Sequence, residues 1–287
     1  MNKVVVVFVS IITLTFTFCS NQDTSKSEDK GAVEVEKVAQ EALPNMRKPS
    51  EIALRLKAVG AVYLPGIGLD TIKVYDYLKN NNQAALNLGI YYADFVYSLI
   101  YKDYNEARMS VIGIDILAEG LGAKAEMNDA LIKSFDDSIN EEQRLLLLDK
   151  GLENTRIKFR SGDNKKTAVL IVTGYYIEQF YEILQIIANY PDDVEEAKRA
   201  EMLSLLYLRV GEQDVSLENL IAQVNSIKSW APAYKTFIND LERLQLAIKE
   251  MKTSEELKSL SSKEIQSEKA LIDVRRKVLK LRGFITE

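Results

Sequence analysis

The chain contains no histidine. That absence removes the commonest general base and the commonest metal ligand together. Ser-His-Asp triads, His-ligated haem and His-containing zinc sites are excluded. There is one cysteine, Cys19, so neither an intramolecular disulfide nor a thiolate cluster can form. Any metal would have to be a hard cation held by oxygen, and no Asp-rich loop has the spacing that calcium needs. We therefore expect no metal, no cofactor and no catalytic residue.

Proline numbers five and glycine 13 among 287 residues, so long uninterrupted helices are possible. Positive charge is not in excess. A net charge of −5 argues against a general nucleic-acid binder, which needs a basic face. What remains is ordinary for a folded soluble body: 47% hydrophobic and 28% charged residues. The length suits one large domain or two intimate halves, with ample core.

The first 19 residues read as an export signal. Lys3 is the short positive region, and Val4 to Phe18 is an apolar-and-Thr run. That run is shorter than the roughly 20 residues of a membrane span. It ends at Cys19, which matches a bacterial lipoprotein signal whose cysteine is acylated. Phe18 and Phe16 depart from the small residue and the leucine usual before such a cysteine. Residues 20–31 (SNQDTSKSEDKG) are polar and charged, cannot bury surface, and read as a flexible tether. The expected partner is a membrane, reached through a lipid on Cys19.

One short phrase occurs twice in the rest of the chain. Tyr91-Tyr92-Ala93-Asp94-Phe95-Val96-Tyr97 and Tyr175-Tyr176-Ile177-Glu178-Gln179-Phe180-Tyr181 align with a shift of 84 (175 − 91). Residues three apart share a helix face, so each copy stacks Tyr, acid, Tyr down one stripe: Tyr91, Asp94, Tyr97, then Tyr175, Glu178, Tyr181. An acid in so apolar a helix needs hydrogen-bond partners if buried. Two readings are open. Each acid is a satisfied core group, with Tyr hydroxyls one turn away or groups across the helix interface as partners, or the stripes line polar pockets. A catalytic alternative pairs Asp94 with Glu178 as general acid and base of a hydrolase.

No stretch alternates with period two, and the apolar runs have helix length. The expected class is all-α: a helical bundle, read as a duplicated four-helix unit with flanking N-terminal helices and a final C-terminal helix. Expected helices span 32–43, 51–60 capped by Ser50, 70–78, 83–101, 105–121, 126–138, 141–159, 166–189, 193–210, 215–228, 232–250 and 263–282. Residues 32–287 would form one domain with an internal repeat, 82–161 and 166–251. Asn80, Asn140 and Pro232 supply start signals. The last helix carries Arg275, Arg276, Lys277, Lys280 and Arg282, read as a solvated basic face beside an apolar face of Leu271, Val274, Val278 and Leu281.

Pro49-Ser50-Glu51-Ile52-Ala53, Gly60-Ala61-x-Tyr63 and above all Ala85-Leu86-Asn87-Leu88-Gly89-Ile90-Tyr91-Tyr92-Ala93-Asp94-Phe95-x-Tyr97 resemble a family of uncharacterised all-helical lipoproteins of Bacteroidetes bacteria. Gly174 to Tyr181 and Arg209-Val210-Gly211-Glu212-Gln213-x-x-Ser216-Leu217 are similar too. The resemblance implies export, a lipid anchor and a helical body, and supplies no activity. Tyr92 and Tyr175-Tyr176 depart from the family pattern. The function expected is a non-catalytic binding or interaction module at the cell envelope, lipid-anchored, at the outer membrane facing the periplasm. A scaffold for an envelope complex is the further alternative.

Overall fold

Hydrogen-bonding caps set most of the helix boundaries. The structure, a computed structural model, describes residues 48–123, 131–136, 138–158, 165–227 and 229–287. The signal, the tether, the helix expected at 32–43 and much of that at 126–138 lie outside the described residues. The helices are α1 (Pro49–Ala58), α2 (Val74–Tyr77, after a 3-10 turn Thr71–Lys73), α3 (Asn81–Ile100), α4 (Tyr104–Gly120), α5 (Glu141–Lys158), α6 (Lys165–Ala188), α7 (Glu196–Gly211), α8 (Asp214–Asn225), α9 (Pro232–Lys249), α10 (Ser254–Leu257), α11 (Ser262–Gln266) and α12 (Lys269–Thr286). A helical turn at 131–134 precedes α5, and there is no strand among the described residues. The all-α class is as the periodicity predicts.

Asn80 caps α3 by accepting from the Asn82 N–H at 2.9 Å, and Asn140 accepts from Gln143 N–H at 2.8 Å at the start of α5. Pro232 occupies the first turn of α9, where its missing N–H costs nothing.

Three expectations are corrected. Ser50 does not cap α1; Lys48 is the N-cap residue and Pro49 starts the helix. Ser50 instead donates its N–H and Oγ to Asp149 of α5, at 3.0 and 2.7 Å. The helix after Pro191 begins later, because Glu195 caps it by accepting from Ala197 and Lys198 N–H groups. The final helix is broken in two. Ser261 and Glu264 form a capping box that starts α11, and Glu268 accepts from Leu271 N–H to start α12 afresh. The short α10 has its own capping box, Thr253 with Glu256.

Helix α3 is the axis of the body: every residue from Ala84 to Ile100 is buried. A helix apolar all round belongs inside others. Its closest neighbour is α6, buried from Ala168 to Phe180. The two cross at glycines. A methyl at Gly89 would lie 2.0 Å from the Ile171 carbonyl oxygen, and one at Gly174 would lie 1.9 Å from that of Leu86. Leu86 meets Gly174, Tyr92 meets Tyr175 and Asp94 meets Glu178. The numbers rise together, so the helices run parallel. Around this pair, α4 packs on α3, α1 and α5 lie together, α7 and α8 pack on α6, and α9 packs on α12, which contacts both central helices.

The end of α12 seats on the start of α3. Its last carbonyls lack helical partners and are met by side chains. Gln83 Nε2 donates to Phe284 and Ile285 oxygens at 3.0 Å each. Asn87 Nδ2 donates to Ile285 O at 2.8 Å, and Tyr77 Oη donates to Thr286 O at 3.1 Å.

Candidate functional site

The first stripe grips a stretch of the chain's own backbone. Residues 61–70 between α1 and α2 contain Pro65, Gly66 and Gly68, have no regular structure before the 3-10 turn, and lie along α3 as a strap. Tyr101 Oη donates to Ala61 O at 2.8 Å. Tyr97 Oη accepts from Leu64 N–H at 2.8 Å. Asp94 Oδ2 accepts from Leu69 N–H at 2.8 Å, and Tyr91 Oη donates to Asp70 O at 2.6 Å. The strap descends α3 as its numbers rise, in the opposite sense to the helix. An irregular backbone lacks partners of its own, and the stripe supplies them. Gly68 lets the strap approach: a methyl there would meet Asp94 Cγ at 3.1 Å.

The second stripe holds the final helix. Arg282 of α12 places Nε and Nη2 on the Glu178 carboxylate at 2.7 and 2.8 Å, a bidentate pairing. Its guanidinium carbon sits 4.0 Å from the centre of the Tyr181 ring, a cation–π contact. Tyr175 Oη accepts from Gln179 Nε2 within its own helix. The Tyr hydroxyls are therefore not the partners of the acids beside them, and Glu178 is satisfied across a helix interface instead. The hydroxyls hold the strap or turn to other groups.

The two stripes meet at their acids. Asp94 and Glu178 lie close enough to interact electrostatically. Burial, and then Glu178, push the Asp94 carboxyl well above the ordinary range. Its Oδ2 accepts from Leu69 N–H, and its Oδ1 has no hydrogen-bond partner. Burial also raises Glu178, but Arg282 opposes it, and the bidentate geometry is that of an ionised carboxylate. Burial pulls Arg282 down; Glu178 and Asp94 outweigh it, so it stays cationic. A third acid, Glu182, is 3% exposed with Oε1 unpartnered. Burial first, then Asp94 and Glu178, hold it well above the ordinary carboxylate range.

The cluster thus has one ion pair and two buried acids whose carboxyls are held well above the ordinary range. The free space beside it is small. A gap of about 10 Å³ lies between Asp94, Tyr97 and the strap. Another of about 10 Å³ lies between Glu182, Gln179 and Tyr97. Each is room for about one water. What the arrangement does is join α3, α6, α12 and the strap.

Glu182 and Arg282 belong to the cluster although the stripe pattern does not reach them. Glu182 stands four residues after Glu178, on the same face. Arg282 stands four after Val278 and three before Ile285, both buried; that spacing puts it on the apolar face of α12 rather than the solvated one. Arg276 and Lys280 are exposed as expected of a solvated face, whereas Arg275 and Lys277 are partly buried; Arg276 and Lys277 pair with Asp273 within the helix. Lys280 reaches Asp240 of α9 at 2.7 Å. Cys19 lies outside the described residues. No protein-family model matches the chain, and neither a curated protein nor a solved structure matches it.

Proposed function

We propose that the chain is an exported, lipid-anchored helical protein that serves as a non-catalytic binding or interaction module at the cell envelope, at the outer membrane facing the periplasm. The observation that carries this reading is the single cysteine. Cys19 closes an apolar run and opens a polar tether, the arrangement in which acylation holds a folded body a short way from a membrane. The resemblance to helical lipoproteins supports the same reading, and the parallel α3 and α6 with their matching stripes are consistent with an ancestral duplication.

The non-catalytic part rests on the acids. Asp94 is covered by the strap and Glu178 is closed by Arg282. A hydrolase acting through them would need a substrate-sized opening where the gaps are about 10 Å³.

The test is mass spectrometry of the full chain expressed in a bacterial host, with and without Cys19→Ala. The expected product begins at Cys19, carries diacylglycerol and fractionates with membranes, and Cys19→Ala abolishes all three. A mature chain beginning elsewhere, with an unmodified Cys19 or none, would overturn the anchor.

A further inference from the structure

Three helices of this protein end in the same way, and one of them uses an unusual residue to do it. Helix α1 closes with Gly60 at φ +67, Gly60 N–H to Lys57 O at 3.1 Å and Ala61 N–H to Leu56 O at 3.0 Å. Helix α4 closes with Gly122 at φ +73, Gly122 N–H to Glu119 O at 3.0 Å and Ala123 N–H to Ala118 O at 2.7 Å. These are Schellman motifs, in which the left-handed residue is usually glycine because it has no Cβ to clash. Helix α3 closes with the same pair of bonds, Lys102 N–H to Leu99 O at 3.1 Å and Asp103 N–H to Ser98 O at 2.9 Å. Here the left-handed residue is a lysine, at φ +63, the one non-glycine residue with positive φ among the described residues. The helix dipole favours a cation anywhere in the last turn. It does not require one at the position where a side chain strains the backbone.

Lys102 stands at the rim of a recess of about 280 Å³. Leu99, Ile100 and Leu145 are buried behind the recess, Ile139 is partly exposed, and Tyr104 adds a half-exposed ring and phenol at the start of α4. Arg144 also lines it. Its Nε donates to Ser134 O at 2.7 Å and its Nη2 to Asp136 O at 3.0 Å, so the guanidinium is fixed by two carbonyls. The one acid on the rim is Glu141, already paired with Lys57 at 2.8 Å. The hydrogen bond from Lys57 holds Glu141 below the ordinary carboxylate range against the effect of burial, and Lys102 and Arg144 add to the pull. Lys102 and Arg144 thus face one carboxylate that Lys57 already pairs, and Lys102 closes no salt bridge among the described residues.

We propose that this recess between the end of α3 and the start of α5 binds a small organic anion: an anionic head, carboxylate or phosphate monoester, on a short apolar body. Lys102 and Arg144 meet the head, and Ile139 and the Tyr104 ring lie against the body. A strained backbone at a charged residue beside such a recess fits conformational cost accepted for binding. This deepens the binding reading above by giving it a ligand class. Its test is separate from that of the anchor, because lipidation of Cys19 succeeds or fails whatever a titration of the folded body gives.

The experiment is calorimetric titration of the full chain with four probes. Hexanoate and hexyl phosphate carry both parts and distinguish the two kinds of head. Inorganic phosphate is a head alone, and 1-hexanol is a body alone. The variant is Lys102→Gly, which removes the charge and supplies the residue that the other two Schellman ends use. Lys102→Gly is expected to keep or raise the melting temperature. It is also expected to weaken hexanoate or hexyl phosphate at least about fivefold, the loss of one charge-assisted contact. In the parent protein that same probe should bind at least about fivefold tighter than phosphate or hexanol. No binding of either two-part probe up to about 10 mM, equal binding by Lys102→Gly, or equal binding of a one-part probe would each overturn the proposal.

Discussion

Arg282 and Glu178 are 104 residues apart in sequence and joined by two hydrogen bonds of 2.7 and 2.8 Å, with the Glu178 side chain wholly buried and Arg282 only 16% exposed. Removing one partner leaves an uncompensated charge in the core. Arg282→Met is therefore expected to cost about 3–5 kcal/mol in urea unfolding. The double variant Arg282→Met with Glu178→Met should be more stable than the Arg282→Met single variant, because no charge is then stranded. If the double variant is the weaker, the pair is not what holds α12 to α6.

The raised acids give stability an inverted pH dependence. Asp94 and Glu182 have carboxyls raised well above their ordinary range by burial and by their acidic neighbours. The folded state therefore keeps protons that the unfolded chain releases. Their contribution is full below the ordinary carboxylate value of about 4 and is lost as pH rises from there through the raised values. Glu182→Gln mimics the protonated form, and its amide can donate to Gln179 Oε1, an unpartnered acceptor lining the same gap. Thermal unfolding from about pH 5 to 8 should show Glu182→Gln gaining on the parent as pH rises. Parallel curves would mean that Glu182 is ionised in the fold.

Gly89 and Gly174 set the distance between the two central helices. Alanine is the better helix former by about 1 kcal/mol, so a purely local view predicts stabilisation. The added methyls would instead fall about 2 Å from carbonyl oxygens of the facing helix. Gly89→Ala and Gly174→Ala are expected to destabilise by about 1–3 kcal/mol or more, the usual range of overpacking. Gly211→Ala, where a methyl meets nothing within 4 Å, is the control and should be neutral or slightly stabilising.

The strap should loosen when its anchors are removed one at a time. Tyr97→Phe deletes the acceptor of Leu64 N–H and Tyr91→Phe the donor to Asp70 O, each at about 0.5–1.5 kcal/mol. Amide hydrogen exchange reads this locally. Leu64 N–H should exchange faster in Tyr97→Phe, and Leu69 N–H, bonded to Asp94, faster in Asp94→Ala. Protection at α12 should be kept in Tyr97→Phe, because the second stripe is independent of the strap's Leu64 anchor.

The sequence by itself determined the class of this protein and most of its helices. Periodicity, Asn80, Asn140 and Pro232 act within a turn or two of where they stand, so a linear reading reaches them. It also placed Asp94 and Glu178 at matching positions of two long helices and left open whether core or pocket lies against them, because spacing fixes a face but not what covers it. The break between α11 and α12 was legible in Ser261, Glu264 and Glu268, but a continuous apolar stripe through Leu271 and Val274 hid it. Only the tertiary structure decided what the stripes hold. Tyr91, Asp94 and Tyr97 find their partners in a strap without periodicity. Glu178 finds its partner in Arg282, whose reach across 104 residues has no local signature. A buried polar group must be satisfied, but which group satisfies it depends on how the helices cross. Here that crossing is fixed by two glycines whose close approach to each other's helix no local propensity records.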